Sequence, residues 1–574
     1  MRKQYSAVHI GAILLLSTII VTSGFARTGP DDGRGGGPGD FAATANPAYC
    51  LALHDIGQFR VGVNNNGTIG QYYTSSGSQD CFTGQRVPNF EYPKGSNTCY
   101  LFGAAFWIGA VVGRDTLVSV GQDGWRGGVS DFHPDDAPLG NMIYRSTIDP
   151  TKPEYAGAVS EQDYIAVYTD TFTEGVQGLA NDVIDGRPHI PIHIEVTQRS
   201  FAWSYSYADD FLLFDYAIKN IGYQRLGRVY LGVYVDADVY AEVNRQGFTD
   251  DICGFLHYID AAYLPTQCPD SDVVNLAFIA DNDGDLEMGP GLSVPHVTGV
   301  RVVRAPQDSL NVSFNWWVGN GNPVLDFGPQ TVAMYRDLST GGMGTPEGDR
   351  NKYAFLKNGE FDYDQVFTAA INPVDYPEWM APNPLLAHDL ADGFDTRYLL
   401  SFGPFDIEPG QVLPLSFAVV AGEELHSDPT NIGNLAEGPA YDPEEYYANL
   451  DFSALGDNAT WAEWIYDNPG VDTDSDGYSG VFYPCTTSHG DPPVIKQIAR
   501  RGDGVPDFKG ANPPPAPYTR VEPSIGGIRV VWNGARSETT VDNFSGEIDF
   551  EGYRVYIGRD ERRSSLSVLQ SYDF

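Results

Sequence analysis

The sequence predicts a mainly β, multidomain protein, and three observations carry that prediction. Aromatic residues make up 13% of the chain, 34 of them Tyr, a composition suited to half-buried strands. The 64 Gly and 39 Pro supply the tight turns that join such strands. At 574 residues the chain exceeds what one hydrophobic core organises, and about 150 residues per domain gives three or four domains.

In chain order, Arg2 and Lys3, the mostly apolar run from Ile10 to Thr22 and the small residues around Gly24-Phe25-Ala26 predict an export signal over residues 1–26. That run is shorter than the roughly 20 residues that span a bilayer, so no transmembrane segment is expected in the mature chain. Residues 27–44 are rich in Gly and Asp, too poor in apolar groups to pack, and read as a disordered leader. An N-terminal β region is expected over 45–200, with strands signalled at Tyr100–Val112 and Thr116–Val120.

A second β region is expected over 201–430. Phe201, Trp203, Tyr205 and Tyr207 alternate with small or polar residues, as do Phe214, Tyr216 and Ile218, and then Val229, Leu231, Val233 and Val235. Spacing of two puts each set on one face of a sheet. A long insertion at about 240–390 carries Cys253, Cys268, an acidic loop at Asp281 and the Trp316-Trp317 pair. Residues 431–510 hold short helices: Asp442 caps one with Pro443 at its first position, and Ala459, Ala462 and Trp464 to Tyr466 mark a second ending before Asp467. A Pro-rich linker over 511–517 precedes a last module, 518–574.

The net charge of −41 excludes nucleic acid and anionic membrane as partners, because both are polyanions that such a field repels. It favours cations, and carboxylate oxygens suit Ca²⁺. Six cysteines in an exported chain predict disulfides. Local spacing favours Cys81 with Cys99 and Cys253 with Cys268, leaving Cys50 and Cys485 as a long-range pair. No Cys-x-x-Cys occurs, which disfavours zinc and redox dithiol chemistry.

The loop Asp472-Thr473-Asp474-Ser475-Asp476-Gly477 places oxygen ligands at alternate positions with Gly at the sixth, where a sharp bend is needed. Tyr478 would add its backbone carbonyl. Tyr483, at the twelfth position, cannot supply the bidentate carboxylate of a full EF-hand. Asp281, Asp283 and Asp285, with Glu287 close by, form a shorter version of the same loop. Asp236 and Asp238, at a strand end, read as solvated rim. His189 and His193 have zincin-like spacing, but Pro188 and Pro191 forbid a helix there, so a shared zinc is not expected. Trp316 and Trp317 point to opposite faces of a strand, and core packing suits them better than a sugar-stacking platform.

Several phrases resemble known families. Asp215 to Gly222, with Pro409-Gly410 and the strand Leu413 to Val420, resembles consecutive strands of an immunoglobulin-like sandwich. The Asp472 loop resembles thrombospondin type 3 and dockerin calcium loops. Gly527 to Trp532 and Asp549 to Tyr556 resemble the early strands of a fibronectin type III module, which implies core roles for Trp532 and Tyr553. A full sandwich of that type takes close to 100 residues, so the module reads as truncated. Tyr92 to Ser96, Leu101 to Gly109 and Asp467 to Asp474 resemble segments of large secreted bacterial multidomain proteins, some exported by the type IX system.

These readings imply a secreted or outer-surface modular β protein, a calcium-stabilised scaffold or adhesin without catalysis, whose partner is an extracellular polysaccharide or a surface protein. The alternative is an extracellular polysaccharide- or protein-degrading hydrolase with the insertion building a cleft. No nucleophile, base and oxyanion donor assemble in the sequence, and among 76 acidic residues no carboxylate pair stands out as a glycosidase dyad.

Overall fold

The computed structural model describes residues 47–70, 78–124, 129–136, 138–176, 178–244, 247–260, 271–289, 292–306, 311–319, 326–333, 346–468, 472, 477, 480–487, 494–501, 506–508, 514–540, 548, 550–558 and 567–573. The expected export signal and leader lie outside that set. Among the described residues no helix is long and apolar enough to cross a membrane.

Two large antiparallel sheets, one of eleven strands and one of nine, hold most of the chain. Their long strands are β1 (Gly103–Val112), β2 (Asp115–Val120), β3 (Gln162–Thr169), β4 (Ile194–Ala202), β5 (Phe211–Asn220), β6 (Leu226–Asp236), β7 (Asp251–Asp260), β8 (Ser271–Asp281), β9 (Val297–Arg304), β10 (Val312–Val318), β11 (Thr396–Ile407) and β12 (Val412–Gly422). The larger sheet runs from short strands within residues 51–99 through β1, β6 and β11 to β10, with β2 on β1. The smaller runs β7, β8, β9, β12, β5, β4, β3. Helices are few: α1 (Gly348–Lys357), α2 (Ala387–Asp392), α3 (Pro443–Ala448) and α4 (Ser453–Tyr466).

The sheets pack face to face. Phe106, Ile108, Leu231 and Val233 of the larger meet Val196, Phe214, Tyr216 and Phe417 of the smaller in one core, and the Phe106 and Tyr216 rings lie 5.4 Å apart. Each sheet is covered on its outer face as well. Tyr353, Phe355 and Leu356 of α1 lie over Trp107, Tyr234 and Trp317, while Tyr446 of α3 and Leu455 and Ile465 of α4 lie over Phe201, Leu213, Phe278 and Val420. Burial on both faces explains why β1 is almost continuously apolar rather than alternating. Trp316 and Trp317 face opposite ways as the spacing predicts, one into each core, and both are buried.

Phe214, Tyr216 and Ile218 share the inner face, as do Val229, Leu231, Val233 and Val235. The aromatic alternation after Phe201 behaves differently. Strand β4 ends at Ala202, and Tyr205 and Tyr207 stack on each other in the following turn, with Tyr207 against Trp461 of α4. The pattern serves helix packing instead of a ladder. Pairing also runs across residue 200, with Val196 opposite Ile218 and Phe106 opposite Val233. The regions expected at 45–200 and 201–430 therefore share both sheets, and the expected insertion supplies β7 to β10. Asp442 caps α3, its side chain accepting from Glu445 N at 3.1 Å, with Pro443 first in the helix. Beyond α4, three two-stranded pairs follow: Val481–Thr487 with Val494–Arg501, Tyr518–Ser524 with Gly527–Asn533, and Gly552–Ile557 with Ser567–Asp573.

The cysteine pairing expected from spacing is corrected. Cys50 and Cys81 form a disulfide, with Cα atoms 5.5 Å apart. Register explains it: Cys81 N donates to Leu51 O and Leu53 N donates to Asp80, so the 80–81 segment is laid along the strand Leu51–His54. Neither a Cys81–Cys99 nor a Cys50–Cys485 bond can then form. Cys99 and Cys253 are buried thiols; Cys268, the partner expected for Cys253, lies outside the described residues. Cys485 is on the Val481–Thr487 strand.

Candidate metal centre

An acidic centre lies where β7 begins and β8 ends. Antiparallel register sets Asp251 opposite Asp281, and like charges facing each other across a ladder destabilise it unless something offsets them. Asp250, just ahead of β7, completes a trio in which one carboxylate oxygen from each residue lies within 4.8 Å of the others. Two of its members are withdrawn from solvent, Asp251 at 0% and Asp281 at 1% exposure, and Asp250 is half-buried. Asp250 Oδ1, Asp251 Oδ1 and Asp281 Oδ2 are sealed from water and have no hydrogen-bond partner.

The backbone fixes the remaining oxygens. Asp251 Oδ2 accepts from Val239 N at 3.0 Å, and Asp281 Oδ1 accepts from Asp283 N at 2.9 Å and Gly284 N at 2.6 Å. Asp283 Oδ1 in turn accepts from Asp285 N at 2.7 Å, and Asp285 keeps a buried, unpartnered Oδ2. The loop turns at Gly284, whose φ of +70° and whose tight approach to His426 and Pro295, 3.0 Å from a Cβ placed there, leave room for no side chain. Burial lowers the His426 pKa to about 4, so its neutral ring donates Nε2–H to the Asp281 carbonyl at 2.7 Å. The Asn282 amide donates to the Asp392 carbonyl at the end of α2, and the Tyr446 hydroxyl of α3 donates to the Asn282 carbonyl. One loop thus gathers a hairpin and two helices.

Burial pushes Asp251 and Asp281 well above the usual carboxylate range, and neighbouring carboxylates push them further. The same causes, burial first, raise Asp250 to about 6. Asp236 and Asp238 join this field and are not the solvated rim expected of a strand end. Asp236 is buried against Arg397, with Nε to Oδ1 at 2.9 Å, and burial, then Asp236 and Asp395, raise Asp238 to about 8. The strand end is tied inward, the Val239 N–H just beyond it donating to Asp251 Oδ2.

A donor set of carboxylate oxygens suits a hard divalent cation. Oxygens on opposite sides of an ion bound at about 2.4 Å lie about 4.8 Å apart, so the trio has the span of one coordination sphere. A bound dication would reverse the electrostatics by favouring the ionised carboxylates.

Asp281 is thus a member of the trio, and Asp283 and Asp285 border it. Glu287 is exposed in a short turn, Leu286–Met288. In the other acidic loop, Gly477 N donates to Asp472 Oδ2 at 3.1 Å and Gly477 has φ +93°; Asp474, Asp476 and Tyr478 lie outside the described residues. His189 binds Asp131 Oδ1 through Nδ1 at 3.0 Å and the Asp170 carbonyl through Nε2 at 3.0 Å, while His193 is exposed. Asp250 and Asp251 escaped the sequence reading. Their signal was an Asp doublet opening an apolar run, and only the hairpin register shows that it faces Asp281.

No family model and no curated protein matches the chain. Among solved structures, a putative aldose 1-epimerase from Escherichia coli K12 matches over 65% of this chain and 99% of its own, at 11% identity and a TM-score of 0.20. At that score the similarity carries no argument about fold or function.

Proposed function

We propose that this is a secreted or cell-surface modular β protein that acts as a calcium-stabilised, non-catalytic scaffold or adhesin. The observation that carries the reading is the buried Asp250–Asp251–Asp281 trio, three inward oxygens with no proton donor or cation of their own. Because Asp251 and Asp281 are closed to solvent, an ion there would hold the hairpin, α2 and α3 together and would offer no open position to a substrate. Catalytic metal sites keep such a position. Calcium suits the oxygen-only donors, and the Asp472 loop is read as a second site near the linker.

The module assignments belong to the same proposal. An immunoglobulin-like reading of the central strands is supported by the turn after β5, where Asn220 Oδ1 accepts from Gly222 N at 2.9 Å, and by its bond to the Pro409-Gly410 turn, Gly410 N to Asn220 O at 2.8 Å. A fibronectin type III-like reading of residues 518–574 is supported by Trp532, whose ring lies 5.5 Å from Tyr553 and 5.3 Å from Tyr572.

Thermal unfolding of the exported chain in Ca²⁺ and in chelator tests the metal. Binding to the folded state at 100 times Kd adds about 2.7 kcal/mol, so a clear rise in melting temperature is expected. The rise should vanish in Asp251→Asn and Asp281→Asn, while in chelator both variants should equal or exceed the parent, since an amide relieves like-charge crowding. A calcium-insensitive parent, or variants that keep the full calcium response, would sink the assignment.

A further inference from the structure

About 20 Å along β7 from Asp251, at 3.4 Å per residue, the edges of the two sheets open into a cleft of about 510 Å³, within the 300–1,000 Å³ of small-molecule sites. The smaller sheet contributes His257 and Asn275 to its lining. The larger contributes Tyr230, Asn311 stands just ahead of its strand β10, the last residue of α1 is Lys357, and Phe361 follows shortly after.

The backbone presents these groups by local irregularity. The β7–β8 pairing shifts register between Leu256 and Tyr258, which takes His257 out of the ladder, and Asn275 on the facing strand has φ +42°. Bulges of this kind re-aim side chains at sheet edges. Phe361 is 36% exposed and its ring centroid lies 4.4 Å from that of His257. Tyr230 is half-buried, held edge-on to Tyr353 at 5.7 Å. The side chains of His257, Asn275, Asn311 and Lys357 have no hydrogen-bond partner among the described residues. In a chain with 76 acidic residues, the lining contains two basic side chains and, among the described residues, no carboxylate.

We propose that the cleft binds polysaccharide containing uronic acid residues. A pyranose ring offers apolar C–H faces, which suit the Phe361 and Tyr230 rings, and a rim of hydroxyls, which suit the paired donor and acceptor of each Asn amide. Lys357 and His257 supply donors for the uronate carboxylate. The described lining carries no carboxylate pair of the kind that hydrolyses a glycosidic bond. The inference gives the proposed adhesin its ligand class but rests on its own geometry, independent of the metal centre.

Calorimetric titration of the full chain with soluble oligouronates and with neutral oligodextran, in calcium and in chelator, tests it. Binding of the oligouronate alone is expected. Phe361→Ala and Asn275→Gly, the latter suited to the positive φ at that position, should weaken it at least tenfold, and Lys357→Gln should reduce the preference for acidic over neutral sugar, with melting temperatures held. Asp281→Asn, which tests the metal centre, should leave sugar binding intact. No binding of either sugar, equal binding of both, or affinity unchanged in the three cleft variants would overturn the proposal.

Discussion

His189 shows how a single buried group reports on the surrounding fold. Burial alone would lower its pKa, but the hydrogen bond and charge of Asp131, then Asp170, raise it to about 9. A folded-state pKa above the unfolded value of about 6.5 means that this pair's contribution is fully present below pH 6.5 and is lost as pH rises through 9. Stability should therefore fall across that window, and His189→Gln should flatten the fall by up to about 3 kcal/mol, measured by denaturant unfolding at pH 6, 7.5 and 9. An unchanged slope would refute the role. Gly393 makes a second residue-scale case. With φ +125°, a Cβ there would run into the Asp250 carbonyl, so Gly393→Ala should cost more than about 1 kcal/mol and weaken the calcium response along with the fold. At this scale the sequence was partly legible. Asp281 could be picked out because its loop spacing is local, whereas Asp250 and Asp251 depend on a partner thirty residues away across a hairpin.

At the scale of elements, α1 is the piece that sequence reading missed, and its packing explains the omission. It is short, opens at Gly348 and carries Lys352 on its buried side. Lys352 is held by Asp123 at 2.8 Å and lies over the Trp107 ring at 5.9 Å, so a charged residue stands where apolar periodicity would be sought. Tertiary contacts, not pattern, stabilise this helix. Leu356, fully buried against the larger sheet, should cost about 2–5 kcal/mol when changed to Ala, and Lys352→Ala about 3–5 kcal/mol because Asp123 is left buried without its partner; chemical denaturation measures both. The strands with clean spacing of two, β5, β6 and β12, were readable because each turns a regular apolar row toward the inner core. The aromatic row after Phe201 misled because a turn can hold stacked rings as well as a strand can.

At the scale of the whole molecule, composition was enough for a mainly β fold, but the pairing that merges residues on either side of 200 was not, since composition carries no register. The cysteines show the same limit. Proximity in sequence suggested one set of bonds and strand register made another. Peptide mapping without reductant should recover Cys50 linked to Cys81, with Cys99 and Cys253 resistant to alkylation until the chain unfolds. Breaking that bond, which closes a loop with a sequence separation of 31, should cost about 4 kcal/mol, and an unchanged melting temperature in reductant would count against it. The smaller sheet has a further property. Its interior strand β12 is inserted between β5 and β9, and the Ser416 hydroxyl reaches Asp215 from 201 residues downstream. Until residue 422 is made, the sheet has a gap at its middle and β5 lacks a neighbour, so the nascent chain gains little from early collapse and the final fold closes slowly. A polypeptide whose keystone strand is synthesised so late should complete this sheet after synthesis rather than during it.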